Sequence, residues 1–263
     1  MPMLLKAILL GIIQGFTEFL PISSSGHLRI FHDVFCFHES SLLFDIFLHV
    51  GTLVPVVVIF WKDIGTLLTT RRRWVALLVA GTVPIAVVGG LLGGRIEAAF
   101  ETSRWVGLLL LVNGGVLLAG SRLDTVRSEK RSVGWLHAAA VGVAQAVAIL
   151  PGISRSGSTI STGLATGLDR EDAARFSFLL AIPAILLALA FKVWQLSRGA
   201  EAVEPTMWVP IAFGTVVSMV VGYAALRLLL VVVRRHKLAY FGWYCLAAGG
   251  VLLVVQLVPR IFG

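Results

Sequence analysis

The sequence predicts an all-α protein that crosses a membrane several times. Hydrophobic residues make up 57% of its 263 residues and charged residues only 14%, whereas soluble domains average about 45–50% and about 25%. So much apolar surface cannot be buried in one core, and lipid must solvate a large part of it. The net charge of +8 is then expected in cytoplasmic loops and not on a nucleic-acid-binding surface.

Six uninterrupted apolar segments are long enough to cross the hydrocarbon core, which takes about 20 helical residues. They are residues 42–61, 74–94, 104–121, 173–196, 208–230 and 238–259. We therefore predict six full transmembrane helices in a single membrane domain, residues 1–263.

Two further apolar segments are interrupted by polar residues. Residues 3–20 end at Pro21 and a Ser/Gly cluster, and residues 134–150 end at Pro151 and a second such cluster. Proline and clustered serine and glycine interrupt helices, and the apolar piece after each break is too short to cross back. An unpaired backbone in lipid costs several kcal/mol. Each segment is therefore predicted to be a broken, re-entrant helical hairpin, although residues 3–20 alone are long enough for an ordinary span.

The two halves of the chain repeat one pattern. An offset of 131 residues matches Ser23, Ser25 and Gly26 with Ser154, Ser156 and Gly157. Each break precedes three spans, so the approximate repeats are residues 1–125 and 132–263. Three spans carry the chain to the opposite face. The second hairpin then enters from the other side, which makes the repeat inverted and lets the two breaks meet near the midplane.

Lysine and arginine are distributed unequally between the two sides. One side holds twelve: Lys62, Arg71, Arg72, Arg73, Arg122, Arg127, Lys130, Arg131, Arg170, Arg234, Arg235 and Lys237. The other side holds four: Arg95, Arg104, Arg198 and Arg260. Because positive charge accumulates inside, the first side is predicted to be cytoplasmic and the mouth of the first hairpin to face outward.

Ionisable residues at membrane depth are costly and are functional candidates by default. Glu18 precedes the first break, His27 follows it, and Arg155 lies in the second break. The half-helix after each break points free N–H groups and the positive end of its dipole at the break, which favours anions. Arg155 is able to hold a phosphate by two parallel hydrogen bonds. A serine is able to attack phosphorus if His27 activates it, and Glu18 to orient the histidine, act as a base or hold a divalent cation.

Each of these residues has a structural alternative. Glu18 and Arg155 could simply pair with each other, as buried charges do. Most of the serines could be helix caps, and His27 could be an ordinary buried histidine.

Other polar and small residues in the spans are predicted to serve packing. Asp45 and His49, at i and i+4, are interpreted as supporting or packing groups, and Asn113 and Gln256 as interhelical hydrogen-bonding residues. Small-residue spacing indicates close helix packing at Gly11/Gly15, Gly89/Gly93 and Gly90/Gly94.

The two breaks resemble the two signatures of the undecaprenyl-diphosphate phosphatase family, also called the bacitracin-resistance family. Residues 14–27, QGFTEFLPISSSGH, resemble the first signature and residues 151–159, PGISRSGST, the second. Residues 44–53 are similar to the segment that follows the first signature. The resemblance implies hydrolysis of C55 undecaprenyl diphosphate to the monophosphate carrier lipid and phosphate, with Mg²⁺ or Ca²⁺. It also implies the outer face of the bacterial inner membrane, carrier recycling for cell-wall synthesis, and bacitracin resistance.

The same resemblance implies Glu18, Ser24, His27 and Arg155 as catalytic positions, with Glu18 also the metal ligand. The other residues predicted to bind substrate are Gln14, Ser23, Ser25, Gly26, Ser154, Ser156, Gly157 and Thr159. The family pattern allows Glu or Gln at position 14. Glutamine cannot act as a base or an anionic ligand, so cation binding through this position is weakened here.

A transporter or flippase for an anionic polyprenyl phosphate lipid is the alternative, since inverted repeats with broken helices also describe transporters. A carrier needs Arg155 and the helix ends but no nucleophile–base pair. A structural scaffold would leave the intramembrane Glu18 and Arg155 unexplained. The sequence does not decide between a Ser24 phospho-enzyme and direct attack of water with His27 as base, and it leaves a homodimer open.

Overall fold

A computed structural model describes residues 1–37, 41–100, 103–126, 132–197 and 204–262 as helices joined by short connections. The helices are α1 Met3–Phe19, α2 Ser24–Phe35, α3 Ser41–Ile59, α4 Trp61–Thr69, α5 Arg72–Phe100, α6 Val106–Val126, α7 Trp135–Val147, α8 Arg155–Ala165, α9 Arg170–Ser197, α10 Trp208–Arg234 and α11 Ala239–Phe262, with one 3₁₀ turn at Pro205–Met207.

Five of these helices are long and apolar enough to cross a membrane, and α3 with α4 makes a sixth, bent span. The five crossing stretches are Arg72–Gly94, Val106–Leu123, Arg170–Phe191, Pro205–Arg234 and Ala239–Gln256. Many large apolar side chains on them are exposed, as lipid-facing residues must be. The predicted all-α polytopic membrane fold is confirmed.

The first break forms a hairpin that returns to its starting face. Helix α1 ends at Phe19, and Ser23, which precedes α2, has φ of 70°. The Nζ of Lys6, near the start of α1, donates to the carbonyl of Cys36, just after α2, at 3.1 Å. The end of the hairpin therefore lies beside its beginning, as predicted for re-entrance.

Close approach of α1 to α10 depends on glycine. A Cβ on Gly11 would lie 2.6 Å from the carbonyl oxygen of Gly214, and one on Gly15 would lie 2.9 Å from the backbone nitrogen of Gly222. The packing predicted for Gly11 and Gly15 is thus confirmed. Because both residue numbers rise together along the contact, α1 and α10 run parallel.

The packing predicted for the glycines of α5 is wrong. A Cβ on Gly89, Gly90, Gly93 or Gly94 would meet nothing within 4 Å in the part of the chain that is described. Small-residue spacing permits the close approach of another helix, but it does not determine whether another helix lies there. Three of these glycines border the cavity described below.

Residues 62–69 form helix α4, although the sequence analysis treats them as loop. Helix α4 is bent by 77° from α3. Ile64 and Leu67 pack against the main core cluster, while Lys62 is exposed beside the Trp61 ring. Trp61, Ile64, Leu67 and Leu68 recur at helical spacing, but over nine residues only, which is shorter than the window in which a helical period is read.

Ion pairs gather α4, the start of α9 and the end of α10 at one end of the molecule. Arg175 Nε lies 3.0 Å from Asp63, and Arg234 Nη2 lies 2.8 Å from Glu171. The basic ends of these helices therefore share one face. Four other charged loop positions used above fall outside the described residues: Arg127, Lys130, Arg131 and Arg198.

Candidate active site

The two breaks are joined by direct hydrogen bonds. Asn113 of α6 donates from Nδ2 to the carbonyl of Pro21 and accepts at Oδ1 from the N–H of Ser154, both at 3.0 Å. The N–H of Gly152 donates to Ser23 Oγ at 3.1 Å. Two segments 131 residues apart therefore form one polar unit, and the interhelical bonding predicted for Asn113 is confirmed.

Serine caps begin the half-helices after both breaks. Ser23 Oγ accepts from the N–H of Gly26 at 3.3 Å, and Ser154 Oγ accepts from the N–H of Gly157 at 3.1 Å. Such caps satisfy one of the four free N–H groups at a helix start and leave others for a ligand. The N-termini of α2 and α8 thus lie beside each other at the joined breaks, where an anion is stabilised.

The Glu18 carboxylate is the centre of the polar contacts. Arg155 Nη2 donates to its Oε1. On Oε2, Ser24 Oγ donates at 2.7 Å and Gln14 Nε2 at 3.0 Å, while His49 Nε2 lies at 3.3 Å. The Glu18 side chain is only 5% exposed, so these donors replace its hydration. One carboxylate thereby connects α1, α2, α3 and α8.

His49, which was predicted to be a supporting or packing group, belongs to this cluster. Its Nδ1 donates to the backbone carbonyl of Asp45 at 2.7 Å. Its Nε2 lies 3.3 Å from Glu18 Oε2, so a proton on this nitrogen pairs the ring with the carboxylate. Asp45 is supporting, as predicted: its carboxylate bonds to His32 Nε2 at 2.9 Å. The sequence signal for this role was the polar pair Asp45 and His49, four positions apart in an apolar span. That signal does not show which helix the pair faces.

His27 is placed differently from the other predicted catalytic residues. Its Nδ1 donates to the carbonyl of Ser23 at 2.8 Å, so its neutral Nε2 accepts from the hydroxyl of Tyr244, also at 2.8 Å. The rings of His27 and Tyr244 stack with centroids 5.9 Å apart. Both ring nitrogens are thus engaged by groups other than Glu18 and Ser24. Nothing in the sequence singles out Tyr244, which comes from α11.

A cavity of about 430 Å³ extends from the carboxylate between the helices. Its polar end is lined by Glu18, Ser24, Ser25, His49 and Arg155. Its apolar wall is built by Ile85, Ala86, Gly89, Gly90 and Gly93 of α5 and by Ala184, Ile185, Leu187, Ala188 and Phe191 of α9. A cavity with one charged end and one long apolar wall fits an amphipathic anion.

The other predicted substrate-binding residues line the cavity, bond within their own segment or permit close packing of the breaks. Ser25 and Ser154 line the cavity. Ser156 Oγ lies 3.1 Å from Ser154 Oγ, and Thr159 Oγ1 donates to the carbonyl of Arg155 at 2.8 Å. Gly26 and Gly157 permit close backbone packing: a Cβ on either would lie 3.1 Å from Gly152 or Pro21, respectively.

The described residues do not fit a cation site built by the protein alone. Among them, no three His, Cys, Asp or Glu side chains lie together as a ligand set. Both oxygens of Glu18, the predicted ligand, already accept from N–H or O–H donors, and one of these donors, the Arg155 guanidinium, is cationic. A cation on this carboxylate would have to displace them.

Comparisons with known proteins agree on one group of relatives. A family model described as "Bacitracin resistance protein BacA" matches residues 7–251. The chain is 42% identical over 266 residues to an undecaprenyl-diphosphatase of Syntrophotalea carbinolica, covering 96% of this chain and 98% of the relative. It is 41% identical over 257 residues to one of Rhodopirellula baltica (98% and 99% covered) and 40% identical over 254 residues to one of Halothermothrix orenii (95% and 97% covered).

Proposed function

The chain belongs to the bacitracin-resistance BacA family, and we infer from this membership and from its site that it is an integral membrane phosphatase. It hydrolyses undecaprenyl diphosphate to undecaprenyl phosphate and inorganic phosphate, as the names of its relatives indicate. This reaction recycles the carrier lipid for cell-wall synthesis and confers bacitracin resistance.

The observation that carries this function is the position of Ser24. Its hydroxyl donates to Glu18 at 2.7 Å, in a cavity that Arg155 also lines. A hydroxyl bonded to a carboxylate and next to a guanidinium is the set of groups that phosphoryl transfer requires: nucleophile, base and charge neutraliser. A carrier for an anionic lipid would need the guanidinium without the serine–carboxylate pair.

We propose that Ser24 attacks the terminal phosphorus. The Oγ–P bond forms as its proton passes to Glu18, and the bond from phosphorus to the bridging oxygen breaks, so undecaprenyl phosphate leaves. Water then attacks the phosphoserine, and Ser24 recovers its proton as inorganic phosphate departs. Arg155 and the N-termini of α2 and α8 neutralise the charge of the transferring group.

We propose a positioning role for His27. Its bonds to the Ser23 carbonyl and to Tyr244 fix the first turn of α2, on which Ser24 lies. His49 performs the corresponding task for Glu18, since its Nε2 lies 3.3 Å from the carboxylate and orients it.

We propose that the divalent cation enters with the diphosphate, because the donors around Glu18 leave no room for a preformed site. Mg²⁺ usually keeps several waters and binds through one or two carboxylates and the phosphates of the substrate. Without substrate, Mg²⁺ or Ca²⁺ is then expected to bind only weakly in calorimetry, and binding should tighten when a non-hydrolysable diphosphate is added. Tight binding to the protein alone would contradict this proposal.

We propose that the site opens to the outer side of the bacterial inner membrane. The apolar wall uses Ile85–Gly93 of α5 and Ala184–Phe191 of α9, each distant from the basic start of its helix. The basic ends lie on the opposite face, which the positive-inside rule assigns to the cytoplasm.

The direct test is phosphate release by purified protein in detergent with undecaprenyl diphosphate and Mg²⁺. Glu18→Gln and Arg155→Ala are each expected to reduce kcat/KM by roughly 10³-fold, with Arg155→Lys as the control that retains charge. Normal release by both variants would sink this site assignment. Movement of the lipid across liposomes without phosphate release would favour the flippase instead.

A further inference from the structure

Two corresponding glutamines precede the two breaks, and only one has a partner. Gln14 and Gln145, 131 residues apart, are both fully buried. Gln14 Nε2 donates to Glu18, four residues further along α1, while its Oε1 has no partner among the described residues. The residue four positions after Gln145 is Ile149. Within the described part of the chain, neither Nε2 nor Oε1 of Gln145 has a hydrogen-bond partner.

A buried amide without partners is rare in folded proteins, because burial removes its bonds to water without replacing them. Leucine or methionine at this position would avoid that loss in the ligand-free protein. The unpaired amide therefore points to an oxygen that is supplied from outside the chain.

The surroundings of Gln145 indicate where that oxygen lies. Gln145 and Ile149 both line the cavity, together with Ser154 and Arg155. In the first half, the acceptor for the Gln14 amide is Glu18 Oε2, four residues later in the sequence. In the second half, Ile149 takes the place of Glu18 and offers no acceptor. The space beside it is part of the cavity, where the positive charge of Arg155 favours an anion.

We propose that the Gln145 amide binds the phosphate that remains on the prenyl chain. An oxygen of this phosphate then accepts the hydrogen bond for which Ile149 offers no acceptor. This assignment rests on the proposed function. The retained phosphate is the one attached to the tail, and Gln145 lines the cavity together with the apolar residues Ala148, Ile149 and Ile153. The transferred phosphate lies at Ser24.

The test compares Gln145→Met, which keeps the length of the side chain, with Gln256→Met as a matched control. Gln256 donates to the carbonyl of Ser103, outside the cavity. The probes are farnesyl diphosphate as substrate, and farnesyl monophosphate and inorganic phosphate as inhibitors. A lost bond to a charged group predicts a rise of about tenfold in KM and in the inhibition constant of farnesyl monophosphate.

Inhibition by inorganic phosphate should change by less than about twofold in Gln145→Met, since inorganic phosphate occupies the place of the transferred group and not that of the retained phosphate. Its thermal unfolding temperature without ligand should be equal or higher, because an unpaired buried amide has been removed. An unchanged KM, or a parallel loss of inhibition by both inhibitors, would overturn the proposal.

Gln145→Glu is a second variant of nearly the same shape. Its added negative charge should raise KM and the monophosphate inhibition constant further than Gln145→Met does, and an equal or smaller rise would count against the proposal. If the wild-type protein released no phosphate, the proposed function would fail. If wild type is active and both variants match it, only the Gln145 assignment fails.

Discussion

The first and second breaks begin in the same way: a serine caps a half-helix, a glycine follows three residues later, and Asn113 bonds to both segments. They differ at several corresponding positions: His27 corresponds to Ser158, and two further differences set the charge of the site. Glu18 in the first half corresponds to Ile149 in the second, and Ser24 corresponds to Arg155. One backbone arrangement therefore presents a carboxylate and a hydroxyl from one side and a guanidinium from the other. The repeated Ser/Gly pattern supplies the anion-binding frame, and a few differences in sequence divide the chemistry between the two breaks.

The largest expected effect is the loss of activity when Ser24, and not the neighbouring Ser25, loses its hydroxyl. If the first break supplies the nucleophile, Ser24→Ala should lower kcat by roughly 10³-fold or more, because no other hydroxyl is bonded to Glu18 among the described residues. Ser25→Ala, which also alters a hydroxyl of the cavity, should cost only a few-fold. The measurement is single-turnover phosphate release, with mass spectrometry for a phosphoserine. Equal activity of the two variants would place the reactive oxygen elsewhere.

The next effect tests whether the breaks act as one unit. Asn113→Leu removes the partners of the Pro21 carbonyl and the Ser154 N–H, which are both buried. The loss should be about 2 kcal/mol or more in free energy of unfolding, and kcat should fall about 30-fold as Arg155 shifts from Glu18. Denaturation in mixed micelles measures the first quantity. Gln256→Leu, which breaks a peripheral hydrogen bond, should lower the free energy of unfolding by under about 1 kcal/mol. Equal losses in the two variants would show that the bonds of Asn113 between the breaks stabilise the protein no more than a peripheral bond does.

A smaller effect tests the contribution of α3 to the first break. His49→Leu leaves Glu18 with Arg155, Ser24 and Gln14 but removes a donor at 3.3 Å. We expect kcat to fall about tenfold with little change in KM, since the interaction orients a base and does not bind substrate. His49→Gln keeps an N–H donor and should recover part of the rate. If the two variants were equally active or equally impaired, His49 would be a packing residue.

The smallest effect concerns the bond between α2 and α11. Tyr244→Phe frees the Nε2 of His27 while leaving its Nδ1 bonded to Ser23. A positioning role predicts a loss of about 1 kcal/mol in stability and a rate change of about two- to threefold. Thermal unfolding and kcat report these separately. A rate increase of tenfold would instead identify His27 as the base that Tyr244 restrains.

How much of this arrangement was predictable depends on whether a residue acts within its own segment or across segments. Pro21, the serines and the glycines interrupt a helix locally, so the breaks and their caps could be predicted from spacing. The meeting of Glu18 with Arg155 was foreseen as an alternative, through the inverted repeat. His49 and Tyr244 could not be placed, because the rotation of α3 and α11 about their axes follows from packing along their whole length. Helix α4 was missed because its apolar pattern is short.

The glycines of α5 have a consequence for how a long lipid is handled. A fifty-five-carbon chain is far larger than a cavity of about 430 Å³, which is at the lower end of sites for drug-sized ligands. Gly89, Gly90 and Gly93 give the wall a strip with no side chains, and nothing described lies within 4 Å of where their Cβ atoms would be. Only the first isoprene units then need a place in the protein, while the remainder stays dissolved in the surrounding bilayer. We therefore expect substrate to enter sideways from the bilayer, headgroup first, and discrimination to fall on the phosphates and not on the length of the tail.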